Sequence, residues 1–218
     1  AADGTLSLDD SITEWVSNVP GYEAITLRQL CDGTSGLASY TQSLDFLTWT
    51  NPGRIWNPRE LMSYGISKPR LNDPGVQFAS SPTNFLVAGL AVERATGQSL
   101  AEVITERVIQ PLGLDSTSMP SAAAAAPGTA PLTGHWSQPN AEGVYDCAQP
   151  GEFTTMSASY GAAASGAVTD IRDLGRYAQA LATGALLPDG SDRFANPVPV
   201  ASDQPTWFTA AGGAYQAG

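Results

Sequence analysis

The segment from Thr83 to Thr96 constrains the fold of this chain more than any other part of the sequence. Its apolar side chains point all round a helical axis, and they are Phe85, Leu86, Val87, Leu90, Ala91 and Val92. A helix that is apolar on every face is buried on every face. Gly97 then ends the helix, because glycine readily adopts the left-handed conformation of a helix C-terminus. The sequence therefore predicts a central core helix, and 218 residues are enough to surround it.

Other helices are predicted at residues 11–16, 26–31, 57–64, 99–109 and 162–182. Thr26 and Ser99 each open a capping box, which satisfies backbone N–H groups at a helix start. Asn57 stands before a proline in the order typical of an N-cap and the first helical position. Asp170 or Thr169 caps the last helix, which is amphipathic. Its apolar positions are Ile171, Leu174, Tyr177 and Leu181.

Strand patterns are nearly absent from the sequence. Residues 115–155 show no strong periodicity and predict a long connecting loop. Residues 188–206 are rich in Pro, Ser and Asp and predict a second loop.

The composition excludes several classes of function. The formal net charge is −11. Binding to nucleic acids or to anionic membrane surfaces requires basic patches, so we expect neither as a partner. No apolar run approaches the roughly 18 residues that span a bilayer, so we expect no transmembrane segment. No signal-peptide pattern opens the chain, so residue 1 is expected to be an internal position. The lone His135 and two cysteines lack metal-ligand spacing, and the sequence predicts neither a metal site nor a cofactor.

Residues 74–114 carry a specific order of motifs. A Pro74-Gly75 turn leads through Ser80-Ser81-Pro82 into the core helix, and a Thr-Gly break, a second helix and Pro-Leu-Gly-Leu at 111–114 follow. This order resembles the penicillin-recognising serine hydrolases, which include D-alanyl-D-alanine carboxypeptidases, class C β-lactamases and related esterases. The resemblance implies an α+β, β-lactamase/transpeptidase-like fold. Residues 1–218 would be mainly the helical region of one incomplete domain, with the strands of its sheet beyond both ends.

The mechanism of this family requires a serine nucleophile and a lysine in a Ser-x-x-Lys pair. Lys68 is the only lysine, and the residue three positions before it is Gly65. The family's Lys-Thr-Gly or His-x-Gly motif is also absent, since Trp136 and a serine follow His135. In relatives both motifs fall outside the span of this chain. Lys68 is expected to be a solvated loop charge, and His135 a surface residue.

A second family motif does fall inside the chain, and it is altered. Ser80 stands where class C relatives have a proton-handling tyrosine, and Pro82 where they have asparagine. Ser80 is the candidate catalytic residue, as a proton shuttle, while Ser81 and Pro82 are candidates to line the pocket. The alternative is structural, because Ser81 suits an N-cap and Pro82 the first helical position. Tyr160 is either an aromatic pocket wall or core packing, and Gly33 replaces a histidine that braces a loop in relatives.

Two interpretations of function follow from the resemblance. The first is an acyl-serine hydrolase acting on small molecules or peptidoglycan peptides. The second is an inactive relative that serves as a binding or structural subunit of the cell envelope with a protein partner, because Ser80, Pro82 and Gly33 all depart from the family pattern. The family is exported, which favours a secreted, periplasmic or envelope location. The same argument favours a Cys31–Cys147 disulfide over two buried thiols.

Overall fold

The computed structural model describes residues 4–17, 19, 21–119, 135–137, 144–145, 148, 150–152, 156–186, 197–198 and 210–211. This part of the chain is mainly helical. Its α-helices are α1 (Ile12–Trp15), α2 (Leu27–Cys31), α3 (Asp45–Thr50), α4 (Pro58–Ile66), α5 (Pro82–Thr96), α6 (Leu100–Ile104), α7 (Gln110–Leu112), α8 (Ala162–Ser165) and α9 (Ile171–Thr183). Short 3₁₀ helices cover Thr41–Ser43 and Ala158–Tyr160, and a π-helical turn, Thr105–Ile109, joins α6 to α7.

Helix α5 lies at the centre of this arrangement, as predicted. It contacts α1, α2, α4, α6 and α8. Val87, Leu90 and Ala91 on one side belong to a cluster built with α1, α2 and α4, and Leu86 belongs to a second cluster around Trp56. Because both clusters include α5 residues, burial of this helix holds the described part together.

Five predicted helix starts are confirmed, although the helix predicted over residues 162–182 is divided into α8 and α9. Side-chain oxygens of five N-cap residues accept backbone N–H groups of the first helical turn, and these residues are Ser11, Thr26, Asn57, Ser99 and Asp170. Gly97, with φ +71°, ends α5 in the left-handed conformation. Helix α3 and the 3₁₀ turn before it were not predicted, since no cap signal precedes them; their N-cap positions make no side-chain hydrogen bond.

Helix α9 packs in an unexpected orientation. Its buried residues are Asp173 and Ala180, while Ile171 is 79% exposed and Leu174 is 48% exposed. The Asp173 carboxylate accepts the Ser116 N–H at 2.8 Å and the Thr117 hydroxyl at 2.9 Å. These hydrogen bonds satisfy the buried carboxylate and place Asp173 on the buried side of α9, while Ile171 and Leu174 face away from the described residues.

Three of the four short strands that the structure describes lie in regions predicted as loops. Strand β1 (His135–Trp136) pairs antiparallel with β2 (Gly151–Glu152), and β3 (Pro197–Val198) pairs antiparallel with β4 (Ala210–Ala211). Most of residues 120–155 and 187–218 lie outside the described residues, so the loop and single-domain assignments stay predictions. None of the described helices has the length and hydropathy of a membrane span.

Candidate active site

The candidate site lies at the N-terminus of α5, where the helix starts at Pro82. Ser81 occupies the N-cap position with extended backbone, as the structural interpretation predicts. Its hydroxyl makes no capping hydrogen bond, however. Ser81 is only 3% exposed, and its Oγ has no partner among the described residues. The prediction of a side-chain cap is therefore wrong, and proline at the first position is what favours a helix start there.

The side chains of Thr83 and Asn84, rather than that of Ser81, fix the position of the start of α5. The buried Thr83 hydroxyl donates to the Ala38 carbonyl at 2.7 Å and accepts the Tyr40 N–H at 3.1 Å. The Asn84 side-chain oxygen accepts the Ser35 hydroxyl at 2.5 Å. The anchoring role of these two residues was not predicted from the sequence, although two polar side chains in the first turn of an otherwise apolar helix are a usable signal.

These contacts fix a buried segment, residues 33–40, against α5. The segment has no helix or strand, so side chains must satisfy part of its backbone. Asp32 accepts both the Thr34 N–H at 3.0 Å and the Thr34 hydroxyl at 2.6 Å. Gly33 has φ +74°, and a β-carbon there would lie 2.6 Å from the Phe78 ring. Asp32 thus braces the turn, and the Phe78 ring covers the side of Gly33 where a side chain would stand.

Residues 71–79 run beside this turn and lead directly to Ser80. The N–H groups of Leu71, Gly75 and Ala79 donate to carbonyls of the turn at 2.8–2.9 Å. Ser80 itself is exposed. An exposed hydroxyl therefore stands immediately before the positively polarised end of a rigid, buried helix.

Lys68 is more than the solvated loop charge that the sequence predicted. It is half-buried, and its Nζ donates to the Ser39 carbonyl at 2.9 Å. The neighbouring Ala38 carbonyl accepts the Thr83 hydroxyl. The only lysine of the chain therefore helps to fix the segment that also holds α5.

Tyr160 lies in an aromatic cluster with Tyr40 and Trp56. Its ring centroid is 5.8 Å from that of Tyr40 and 6.2 Å from that of Trp56. Its carbonyl accepts the Tyr40 hydroxyl at 2.7 Å. Burial, with a smaller contribution from Tyr160, raises the pKa of Tyr40 well above its usual value of 10.0. Tyr160 thus contributes to core packing, and its role as a pocket wall stays a prediction.

The described residues include Cys31 and His135 but not Cys147. Cys31 is exposed, and Cys147 lies outside the described residues, so the disulfide stays a prediction. His135 is exposed on β1, as expected. Among the described residues, no group of three or more His, Cys, Asp or Glu is placed to hold a metal ion.

Comparison with known proteins gives consistent similarities. The family model described as Beta-lactamase matches residues 1–216. Penicillin-binding protein 4* of Bacillus subtilis (strain 168) is 28% identical over 117 residues, which is 52% of this chain and 25% of that protein. The D-aminopeptidase of Brucella anthropi is 27% identical over 113 residues, 51% of this chain and 21% of that protein.

A solved structure extends the similarity to nearly the whole chain. The D-stereospecific amidohydrolase from Streptomyces sp. aligns with a TM-score of 0.83 and 27% identity, covering 97% of this chain and 64% of that one. The chain therefore has the β-lactamase/transpeptidase fold. It spans about a quarter of the length of the curated relatives that it matches.

Proposed function

The chain belongs to the β-lactamase family of serine hydrolases, and on that premise we propose that the protein is an acyl-serine hydrolase of small amides or peptides of D-amino acids. The relatives named above support this substrate class, because a D-aminopeptidase and a D-stereospecific amidohydrolase are both among them. The observation that carries the proposal is the placement of Ser80. It is an exposed hydroxyl at the start of a helix that Thr83 and Asn84 hold firmly in place.

The proposed chemistry is acyl transfer to a serine followed by hydrolysis of the acyl-enzyme. The nucleophile would come from a Ser-x-x-Lys pair, which these 218 residues do not contain. Ser80 would pass a proton between the nucleophile, the leaving amine and water. A serine hydroxyl can relay a proton because it both donates and accepts, but it is shorter and less acidic than the phenol of tyrosine. We therefore expect a slow enzyme.

The test uses the full-length protein with D-amino acid amides and their L-enantiomers as substrates. We expect preferential hydrolysis of the D-enantiomer and covalent labelling by a fluorescent penicillin or a fluorophosphonate. Ser80→Ala should lower kcat about 10²-fold with little change in KM, since a lost proton relay acts on the chemical step. Ser67→Ala is the control, because Ser67 is also an exposed serine and its hydroxyl donates to the nearby Tyr64 carbonyl. Absence of both labelling and turnover would refute the proposal.

The second candidate function is a binding or structural subunit without activity. The observation that favours it is the site itself: the Ser81 hydroxyl is buried without a partner among the described residues, and Pro82 offers no amide to orient a substrate. The double variant Ser80→Tyr with Pro82→Asn restores the family motif. A gain of activity in that variant over an inactive native protein would support this candidate, whereas turnover by the native protein would exclude it.

We further propose an extracytoplasmic location, in the secreted, periplasmic or envelope fraction. Its support is the resemblance to an exported family and the likeness to a penicillin-binding protein. Fractionation of cells that express the full-length protein would test it, and recovery in the cytosol alone would contradict it.

A further inference from the structure

A cavity of about 170 Å³ lies where α5, α6 and α8 approach one another. Most of its wall is apolar and is formed by Pro58, Leu86, Leu90, Leu100, Met119 and Ala162. The part of the wall on α5 runs from Leu86 to Glu93, beyond the residues Ser80 to Pro82 that carry the proposed function. An apolar cavity of about 150 Å³ in another protein is large enough to hold a benzene ring.

The two serine hydroxyls of this wall already take part in hydrogen bonds. The Ser159 hydroxyl accepts the Trp56 N–H at 2.8 Å and pairs with the Ser157 hydroxyl at 2.7 Å. The Ser99 hydroxyl is engaged with Glu102, to which it donates at 2.7 Å. Both serines therefore already have partners, and neither is placed to recognise a ligand.

Glu93 is different. It is half-buried on α5, and its Oε1 accepts the Leu100 N–H at 3.0 Å. Within the described residues, Oε2 has no hydrogen-bond donor and Glu93 has no paired cation. The cavity thus combines an apolar wall of limited size with one carboxylate oxygen that no described protein donor occupies and that suits a charged donor.

We propose that this cavity binds a small organic ammonium ion with an apolar body of about benzyl size. The apolar group fills the space beside Leu86 and Leu90, and the ammonium donates to Glu93 Oε2. The site goes beyond the proposed hydrolase function, since none of the groups it uses belongs to the Ser80 site. An alcohol of the same shape lacks the charge, and a carboxylate of the same shape is repelled by Glu93.

The test is an NMR titration of the full chain with benzylamine, benzyl alcohol and benzoate. Benzylamine should shift the Leu86 and Leu90 methyl signals and the Leu100 amide saturably, with a dissociation constant on the order of millimolar for so few atoms. Benzyl alcohol should bind roughly tenfold more weakly, as expected for loss of a charge-assisted hydrogen bond. Benzoate should produce no saturable shift.

Three variants make the test specific. Glu93→Gln keeps an oxygen for the Leu100 N–H and should weaken benzylamine roughly tenfold without changing benzyl alcohol. Glu106→Gln makes the same change of charge at an exposed position outside the cavity and should change neither. Ala101→Leu places a larger side chain in the wall and should weaken both ligands. Equal binding of amine and alcohol, equal effects of the two glutamine variants, or no binding of benzylamine would each overturn the proposal.

Discussion

Replacement of Thr83 by valine tests whether a single buried hydroxyl holds the candidate site together. Valine has nearly the shape of threonine, so packing is preserved while both hydrogen bonds are lost. Thr83 is fully buried, and its partners Ala38 and Tyr40 are 4% and 1% exposed. The variant therefore leaves a carbonyl and an N–H group unsatisfied where water does not reach them.

The expected loss follows from those two groups. Each buried polar group without a partner costs about 1–3 kcal/mol, so the free energy of unfolding should fall by about 2–6 kcal/mol. For a domain of this size the melting temperature falls by about 2–4 °C per kcal/mol, which gives a decrease of roughly 4–24 °C. Thr83→Ser keeps both hydrogen bonds and should cost only about 1 kcal/mol for the lost methyl group.

Urea unfolding followed by circular dichroism measures these differences. Thr105→Val is the matched control, because the half-buried Thr105 hydroxyl donates at 2.7 Å to Ala101, whose carbonyl already accepts the Thr105 N–H. Its removal leaves no backbone group unsatisfied, and we expect a change within about 1 kcal/mol. The reasoning fails if Thr83→Val is no more destabilising than Thr105→Val, or if Thr83→Ser is as destabilising as Thr83→Val.

Two further predictions concern the turn at Gly36 and the cap of α9. A β-carbon on Gly36 would lie 2.1 Å from the Asn72 carbonyl oxygen, whereas one on Gly21 would have nothing within 4 Å, and both glycines have positive φ. Gly36→Ala should therefore lower the midpoint of urea unfolding much more than Gly21→Ala, and equal effects would contradict the close approach. A hydrogen bond from the Asp173 N–H lowers the pKa of Asp170 below its usual 3.8, so the stabilisation by Asp170 should persist above that value and be lost as the pH falls through the lower folded-state pKa. An NMR titration of the Asp170 carboxyl carbon measures it, and a midpoint at or above 3.8 would disprove the prediction.

The sequence predicted those parts of the fold that local signals specify. Ser99 and Thr26 cap their helices because a capping box depends on residues only three positions apart. The central position of α5 was predictable for a similar reason, since apolar residues on every side of one helix require burial whatever surrounds it. Family resemblance added the overall fold, which the few short strands among the described residues do not reveal.

Features that depend on contacts distant in sequence were not predicted. The Ser35–Asn84 hydrogen bond joins residues 49 positions apart, and Asp173 meets Ser116 across 57 positions. No local pattern reports such a partner. For the same reason the apolar positions of α9 predicted a helix correctly, but they did not predict which side of that helix is buried. The hydrogen bonds of Asp173 determine the buried side.

The attachment of α5 through Thr83 and Asn84 affects how such a site can change in evolution. The residues that secure the helix are not the residues at the proposed reactive positions: Ser80 is exposed, and the Ser81 side chain caps nothing. Substitutions at position 80 should therefore carry little penalty in folding, so mutation can explore new chemistry there without first unfolding the protein. A site built in this way can lose an activity, or acquire a different one, while its architecture persists.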